Sequence, residues 1–373
     1  MLRVGIVGTS WWTESMYLPA LADHPTARVV GVCGRRLEPG QALASQWGLD
    51  HVWTDYEEMI KSGLVDAVLV AGTNGIHHPV SIASLNAGLH LLCEKPIGLN
   101  LAEADEMVQA ARAAGTVTMV PFTYRYMPVF AEVKKLIDEG FVGNPHHLNL
   151  RYFTGYARTP EYAWRFDTEL AGSGVLGDLG SHWLHLAEWL MGPICQISAV
   201  TERFVERDPR PDGSAYQQAE DSAILVTRFS SGAMGTLQVC AMSHEGTKFD
   251  QTHHLDLHGS SGTVYGYCDW DQTQQVRKVA VGEPGPAQLH QISDQSWQGV
   301  RRSPVHDTYR DLFRTRDVMT RQWASAASQG RSVTPDMESG ARVQLLLDAA
   351  LRSAKSNSTM IDVPGRYLDW LTR

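Results

Sequence analysis

Leu2-Arg3-Val4-Gly5-Ile6-Val7 runs directly into Gly8-Thr9-Ser10-Trp11-Trp12-Thr13. An apolar run without strict alternation reads as a strand covered on both faces. The turn that follows is where a dinucleotide fingerprint would read Gly-x-Gly-x-x-Gly or Ala. Only the first glycine is present here. Ser10, a small residue, stands where the backbone must approach a pyrophosphate, and Thr13 stands where helix and strand pack closely. Taken alone, the hexad also fits a plain strand-to-helix turn. Pro19 predicts that the first helix starts late or is kinked. Adjacent Trp11 and Trp12 either wall a bound cofactor or belong to the core.

Outward from this turn, short apolar runs alternate with helical patterns. Candidate strands are Arg3–Val7, Arg28–Cys33, Ala67–Ala71, His90–Cys93 and Val117–Pro121. Candidate helices are Pro39–Trp47, Tyr56–Ser62, Pro79–Ala87 and Leu101–Ala114. The last opens on Asn100, a good N-cap, with Glu103 three residues later. Such alternation predicts a doubly wound parallel sheet of Rossmann type. From about His146 the texture changes to longer strand-like runs: His147–Phe153, Ile194–Phe204, Ala223–Phe229, Gly235–Ala241, His254–His258, Val264–Tyr267 and Gln275–Val281. Glycine turns separate them, so the second part reads as a large, mostly antiparallel open sheet with helices on one face. One helix, Leu179–Met191, interrupts it, and two more, His306–Ser328 and Asp336–Ser356, close the chain. The boundary is placed near Phe122, giving domains 1–122 and 123–373, with C-terminal helices free to pack on either.

Composition narrows the function. The 373 residues are 43% hydrophobic and carry a formal net charge of −9 without a basic block. That argues against nucleic acid or an anionic membrane as the main partner. No apolar stretch is long enough to span a bilayer, and nothing at the N-terminus resembles a secretory leader, so a cytoplasmic protein is expected. The five cysteines are widely spaced and form no CxxC pair, which predicts reduced thiols rather than disulfides or a metal site. In His146-His147 and His253-His254, neighbouring side chains on a strand face opposite ways, so neither pair suits joint metal ligation.

Three further stretches carry chemistry. After the second strand comes Gly34-Arg35-Arg36, with no acid before Glu38. Two guanidinium groups suit a ribose 2′-phosphate better than a free diol, which favours NADP(H), with NAD(H) possible. After the strand His90–Cys93 comes Glu94-Lys95-Pro96, which places an ammonium at the carboxyl edge of the sheet, where open α/β sheets bind ligands. The stretch Gly172-Ser173-Gly174-Val175-Leu176-Gly177 leads into Asp178 and His182. Their i,i+4 spacing puts both on one helix face. As bland alternatives, Asp178 is an N-cap and His182 a satisfied buried histidine.

Together these stretches resemble the glucose–fructose oxidoreductase / inositol dehydrogenase (Gfo/Idh/MocA) family. The resemblance rests on Glu94-Lys95-Pro96, Asn74 with His77, Thr123-Tyr124-Arg125-Tyr126, Trp164-Arg165 and Asp178-x-x-x-His182, and it spans nearly the whole chain. Departures are Ser10 and Thr13, and Gly72-Thr73-Asn74 where the family often has Thr-Pro-Asn. The resemblance implies hydride exchange between a nicotinamide cofactor and a carbinol carbon of a sugar, cyclitol or related polyol. It places Gly8, Thr9, Ser10, Trp11, Trp12, Gly34, Arg35, Arg36, Gly72, Thr73, Asn74, His77, Glu94 and Lys95 on the cofactor, with Trp164 and Arg165 closing over it. Lys95, Tyr124, Arg125, Tyr126, Asp178 and His182 would face the substrate. His182 suits the acid/base role because imidazole titrates near neutrality. Lys95 would stabilise the developing alkoxide, and Asp178 would orient His182 or bind a substrate hydroxyl. The expected assembly is a homodimer or homotetramer through the C-terminal sheet. Two alternatives remain: a glycoside-cleaving enzyme that recycles its nicotinamide, and a non-catalytic NAD(P)-sensing regulator.

Overall fold

In chain order the structure builds β1 (Leu2–Val7), α1 (Leu18–Ala22), β2 (Ala27–Cys33), α2 (Leu37–Trp47), β3 (His51–Trp53), α3 (Tyr56–Lys61), β4 (Ala67–Val70), α4 (His77–Asn86), β5 (His90–Cys93), α5 (Leu101–Ala114) and β6 (Thr118–Met119). These strands form a parallel sheet in the order β3-β2-β1-β4-β5-β6. The order reverses between β1 and β4, which marks the switch point at which such sheets bind ligands. Strands β1, β4 and β5 at the centre of the sheet are buried on both faces, as their continuous apolar runs predict. The computed structural model describes residues 1–372.

Local chemistry sets several boundaries. Asn100 Oδ1 accepts the Glu103 N–H at 3.0 Å, and Glu103 Oε2 in turn accepts the Leu99 N–H at 2.7 Å, which secures the start of α5. Helical backbone begins at Trp11, widens to a π turn over Thr13–Tyr17, and continues as α1. Pro19 has no N–H to return to the preceding turn, and the extra residue in that turn absorbs the mismatch. The proline expectation thus resolves as a π turn. The three-residue β3 escapes the sequence reading because it is too short to show a period.

The chain then forms α6 (Pro128–Asp138), β7 (Pro145–Thr154), α7 (Thr168–Ala171), α8 (Ser181–Met191), β8 (Ile194–Glu202), β9 (Ser222–Phe229), β10 (Met234–Cys240), β11 (Gln251–Gly259), β12 (Gly262–Cys268), β13 (Gln274–Ala280), β14 (Gln288–His290), α9 (Asp294–Trp297), α10 (Val305–Thr315), α11 (Met319–Gln329), α12 (Met337–Lys355) and β15 (Ile361–Asp362). The second sheet has the order β14-β13-β12-β11-β7-β10-β9-β8-β15, with β7 and β10 parallel and the other pairs antiparallel. Along β9, Ala223, Leu225, Thr227 and Phe229 are buried, while Ile224, Val226 and Arg228 face outward. That alternation leaves the outward face of β9 exposed.

Two elements differ from the sequence reading. Helix α6 forms where no element is expected: Pro128 suits a first helical position, and Val129, Phe130, Val133 and Leu136 recur at helical spacing and are all buried. The expected single helix 306–328 is two helices, because Met319 adopts φ 50, a left-handed value that interrupts the helical path.

The chain divides into two compact units, Met1–Phe122 with Phe313–Gln344, and Thr123–Leu312 with Leu345–Leu371. In the first, Val120 N–H bonds Pro335 O at 3.0 Å, and Arg112 pairs with Glu338 at 2.8 Å. The segment 313–344 therefore belongs with the parallel sheet.

Candidate active site

The switch point is built on bare backbone. Gly8 has φ 130, and a Cβ there would lie 2.5 Å from Ala71 O, so β1 and β4 emerge closer than any side chain permits. At Gly34, a Cβ would meet Thr9 Cγ2 at 2.8 Å. Gly72 lies one residue past β4, after Ala71, and leads through Thr73 into a short 3₁₀ turn, Asn74–Ile76, with Asn74 buried. Thr13 is buried and its hydroxyl donates to Gly8 O at 2.9 Å. A threonine thus stands where the fingerprint has glycine or alanine, and it holds the turn by a hydrogen bond. Residues far apart in sequence (8–13, 34, 72–77 and 94–96) meet at the carboxyl edge of one sheet.

The end of β5 is tied to that turn through Glu94. Trp12 Nε1 donates to Glu94 Oε1 at 2.8 Å, and the Tyr17 hydroxyl donates to the same oxygen. Glu94 Oε2 accepts the Lys95 N–H at 3.1 Å. Trp12 and Tyr17 each pack edge-on against Phe313, with ring centroids 5.7 and 5.3 Å away. Of the two tryptophans, Trp12 is thus part of the framework, whereas Trp11 is 59% exposed. Buried His77 shares a hydrogen bond with Pro96 O at 2.7 Å, and burial lowers its pKa. Arg35 and Arg36 are exposed and form no ion pair among the described residues.

These features fit a dinucleotide. Unhindered backbone lies at a helix start, where N–H groups and the helix dipole attract phosphate, and two uncommitted guanidinium groups follow β2. Residues Gly8 to Ser10 would hold the pyrophosphate, and Arg35 with Arg36 the adenosine ribose or its phosphate.

The second unit gathers its own polar group. Asp178 lies in a π turn, Leu176–Gly180, that continues into α8, so it is not the N-cap; Gly180 holds that position. Tyr156 donates to Asp178 Oδ2 at 2.8 Å, and Arg165 Nε lies 3.4 Å from the same oxygen. The Arg165 guanidinium stands over the Trp164 ring at 4.7 Å. His182, 8% exposed, packs edge-on against Tyr124 at 4.8 Å. The Tyr124 hydroxyl donates to Tyr152 at 2.7 Å and accepts from Gln251 Nε2 at 3.3 Å. Burial pushes the Tyr124 phenol far above its ordinary range, so it stays protonated. Arg125 stands over Trp189 at 5.0 Å and over the neighbouring Tyr126 at 5.6 Å.

No group of three or more metal-ligating side chains occurs among the described residues, and none of their helices is long and apolar enough to cross a membrane. The five cysteines form no disulfide, and burial pushes Cys33 up to about 11 and Cys93 and Cys268 up to about 12.

Comparison with known proteins agrees with this geometry. Residues 2–122 match the profile of an oxidoreductase family with an NAD-binding Rossmann fold, and residues 130–265 match the GFO/IDH/MocA C-terminal domain. The chain belongs to the Gfo/Idh/MocA oxidoreductase family. Among its relatives, levoglucosan dehydrogenase of Pseudarthrobacter phenanthrenivorans is 27% identical, over 97% of this chain and 98% of that protein. The NADP(+) scyllo-inositol 2-dehydrogenase of Bacillus subtilis is 32% identical, over 79% of this chain and 87% of its own length. A solved levoglucosan dehydrogenase in complex with NADH shares the fold, with a TM-score of 0.85 at 24% identity, covering 97% of this chain and 99% of that one.

Within this family framework, sequence reasoning misses Tyr17, Tyr152, Tyr156 and Gln251. Each acts through pairing across distant segments, and only Tyr152, on the buried register of β7, carries any local pattern.

Proposed function

We propose that this family member is a nicotinamide-dependent dehydrogenase acting on a carbinol or ketone carbon of a sugar, cyclitol or related polyol. The observation that carries the reading is the setting of Lys95. It lies two residues past β5, at the carboxyl edge that also holds the bare approach of Gly8 to Ala71. Relatives named as levoglucosan and scyllo-inositol dehydrogenases supply the substrate class.

Bound nicotinamide would supply the hydride acceptor at C4, or the donor in reverse. The Lys95 ammonium would hydrogen-bond the reacting oxygen and stabilise it as it becomes an alkoxide. His182 would take the hydroxyl proton during oxidation and return it to the ketone oxygen during reduction. Asp178, held by Tyr156 and Arg165, would orient that imidazole or bind a neighbouring substrate hydroxyl. Tyr124, Arg125 and Tyr126 would line the substrate side, with Trp164 and Arg165 covering the cofactor. Arg35 and Arg36 favour NADP(H) over NAD(H) by charge and fork geometry.

The outward sheet face supports a further part of the reading. Val200, Ile224, Val226 and Met234 are exposed on β8, β9 and β10, and Val200 sits directly opposite Ile224. A second copy of the chain would bury this stripe, giving a homodimer or homotetramer.

The deciding experiment titrates the protein with NADPH and NADH, then follows nicotinamide absorbance over a panel of sugars and cyclitols. Net cofactor conversion in proportion to product is expected, and Lys95→Ala and His182→Ala should bind NADPH yet lose turnover. Cofactor recycled without net conversion would point to redox-assisted glycoside cleavage. Full rates in both variants would overturn the assigned roles.

A further inference from the structure

The helix that carries Asp178 and His182 begins without a side-chain cap of its own, at either the π turn or α8. Its first N–H groups are instead taken by one distant residue. Glu220 Oε1 accepts from Gly174 N at 2.8 Å and from Leu176 N at 3.0 Å. The backbone carbonyl of Glu220 accepts the Val175 N–H, between them, at 2.9 Å. Three consecutive donors that a helix start leaves orphaned are therefore satisfied together. The carboxylate also lies at the positive end of the helix dipole.

The approach is as close as backbone allows, since a Cβ at Gly174 would overlap the Glu220 carbonyl oxygen. Glu220 itself is pinned on both sides. Ala219 N–H bonds Phe166 O at 2.8 Å, and the Asp221 carboxylate accepts the N–H groups of Phe204 and Val205 at 3.1 and 3.0 Å. Gly174 then passes the constraint on, because its carbonyl accepts the Asp178 N–H at 3.0 Å. His182 follows four residues later.

We propose that Glu220 is a positioning residue for the reaction: by holding residues 174–176 it fixes the height and rotation of the Asp178–His182 helix. This rests on the proposed role of His182. Glycines at 172, 174 and 177 would otherwise leave that stretch free to move. A displacement of about 1 Å at a reacting group costs about 100-fold in rate.

The test uses the full-length enzyme, NADPH and NADH, and levoglucosan and myo-inositol as probes. Glu220→Ala should lower kcat about 10- to 100-fold while leaving KM and the NADPH Kd nearly unchanged. Glu220→Gln keeps an acceptor oxygen at full reach and should recover most of the rate. Glu220→Asp keeps the charge but withdraws it by one methylene, and should rank below Glu220→Gln. Adding Glu220→Ala to His182→Ala should cost little more, since both act on one group. Wild-type turnover in Glu220→Ala, Glu220→Asp outrunning Glu220→Gln, or full additivity with His182→Ala would overturn the proposal. Should Glu220→Ala fail to fold, the ranking of the Gln and Asp variants decides it. A fully active His182→Ala would instead sink the underlying site reading, and it is visible separately.

Discussion

Tyr156 donates its phenolic hydrogen to Asp178 at 2.8 Å, across 22 residues of sequence. The bond fixes one carboxylate oxygen, which Arg165 also approaches. Tyr156→Phe removes the bond and leaves the ring in place. Because Tyr156 is 47% exposed, water replaces the lost donor, so the stability change should stay under about 1 kcal/mol. The looser Asp178 should lower kcat/KM about 3- to 10-fold, which is about 0.7–1.4 kcal/mol of lost transition-state stabilisation. Steady-state kinetics beside chemical denaturation separates the two effects. An unchanged kcat/KM would show that Asp178 needs no such support.

Glu94 gathers donors from Trp12, Tyr17 and the Lys95 backbone. Glu94→Ala strands two side-chain donors and frees the segment that carries Lys95. It should cost about 1–3 kcal/mol in stability and weaken NADPH binding. Glu94→Gln retains an oxygen facing both donors and should fall between the variant and the wild type. Urea denaturation and a fluorescence titration, with Trp12 among the reporters, read the two quantities. Equal behaviour of the Ala variant and the wild type would remove Glu94 from the framework.

On the proposed reading, Arg35 and Arg36 bear on cofactor choice alone. The double change Arg35→Ser with Arg36→Ser should raise the NADPH Kd about 10- to 100-fold and leave the NADH Kd within about threefold, the size of one or two lost charge-assisted hydrogen bonds. The NADPH term should also lose its dependence on salt. Equal weakening of both cofactors would assign the arginines to the shared pyrophosphate instead.

The parallel sheet was legible because strands such as Ala67–Val70 are apolar at every position, and because Asn100 with Glu103 announces a helix start by hydrogen-bond chemistry. Helix α6 was not, since its apolar residues follow a turn-like stretch at the boundary between two textures. The site divides in the same way. Glycines and an ammonium next to strand ends can be read locally, as Gly8 and Lys95 are. Glu220 acts on residues 44 and 46 positions away, and no local period marks that pairing. Thr13 marks a further limit, because a fingerprint written in glycines does not anticipate a hydroxyl that holds the turn.

The outward stripe on β8, β9 and β10 makes a prediction about assembly. Ile224→Glu with Val226→Glu puts two charges on a face where side chains are 50% and 43% exposed in one copy. Their neighbours in the sheet keep the fold, so melting temperature at high dilution should change little. Light scattering after gel filtration should show the wild type as a dimer or tetramer and the variant as a monomer. An oligomeric variant would place the subunit contact elsewhere.

Glu132 predicts how the second unit responds to acid. It is buried on α6, and its Oε2 accepts from Ser293 N at 3.0 Å, Ser293 Oγ at 2.6 Å and Ser296 Oγ at 2.8 Å. Its Oε1 lies 2.9 Å from His290 Nε2. Burial alone would push the carboxyl up, but these hydrogen bonds outweigh it and hold the pKa at about 2, against an ordinary 4.5. A group depressed on folding stabilises the folded state fully above its unfolded pKa, and that contribution fades as pH falls from about 4.5 to about 2. The shift corresponds to about 3 kcal/mol. Glu132→Gln turns an acceptor into a donor facing two serines, so it should cost about 2–3 kcal/mol at pH 7. Between pH 4.5 and pH 2 its stability should also fall less steeply than that of the wild type. Urea denaturation at a series of pH values measures both. Parallel pH curves for the two proteins would mean that acid sensitivity resides in other carboxylates.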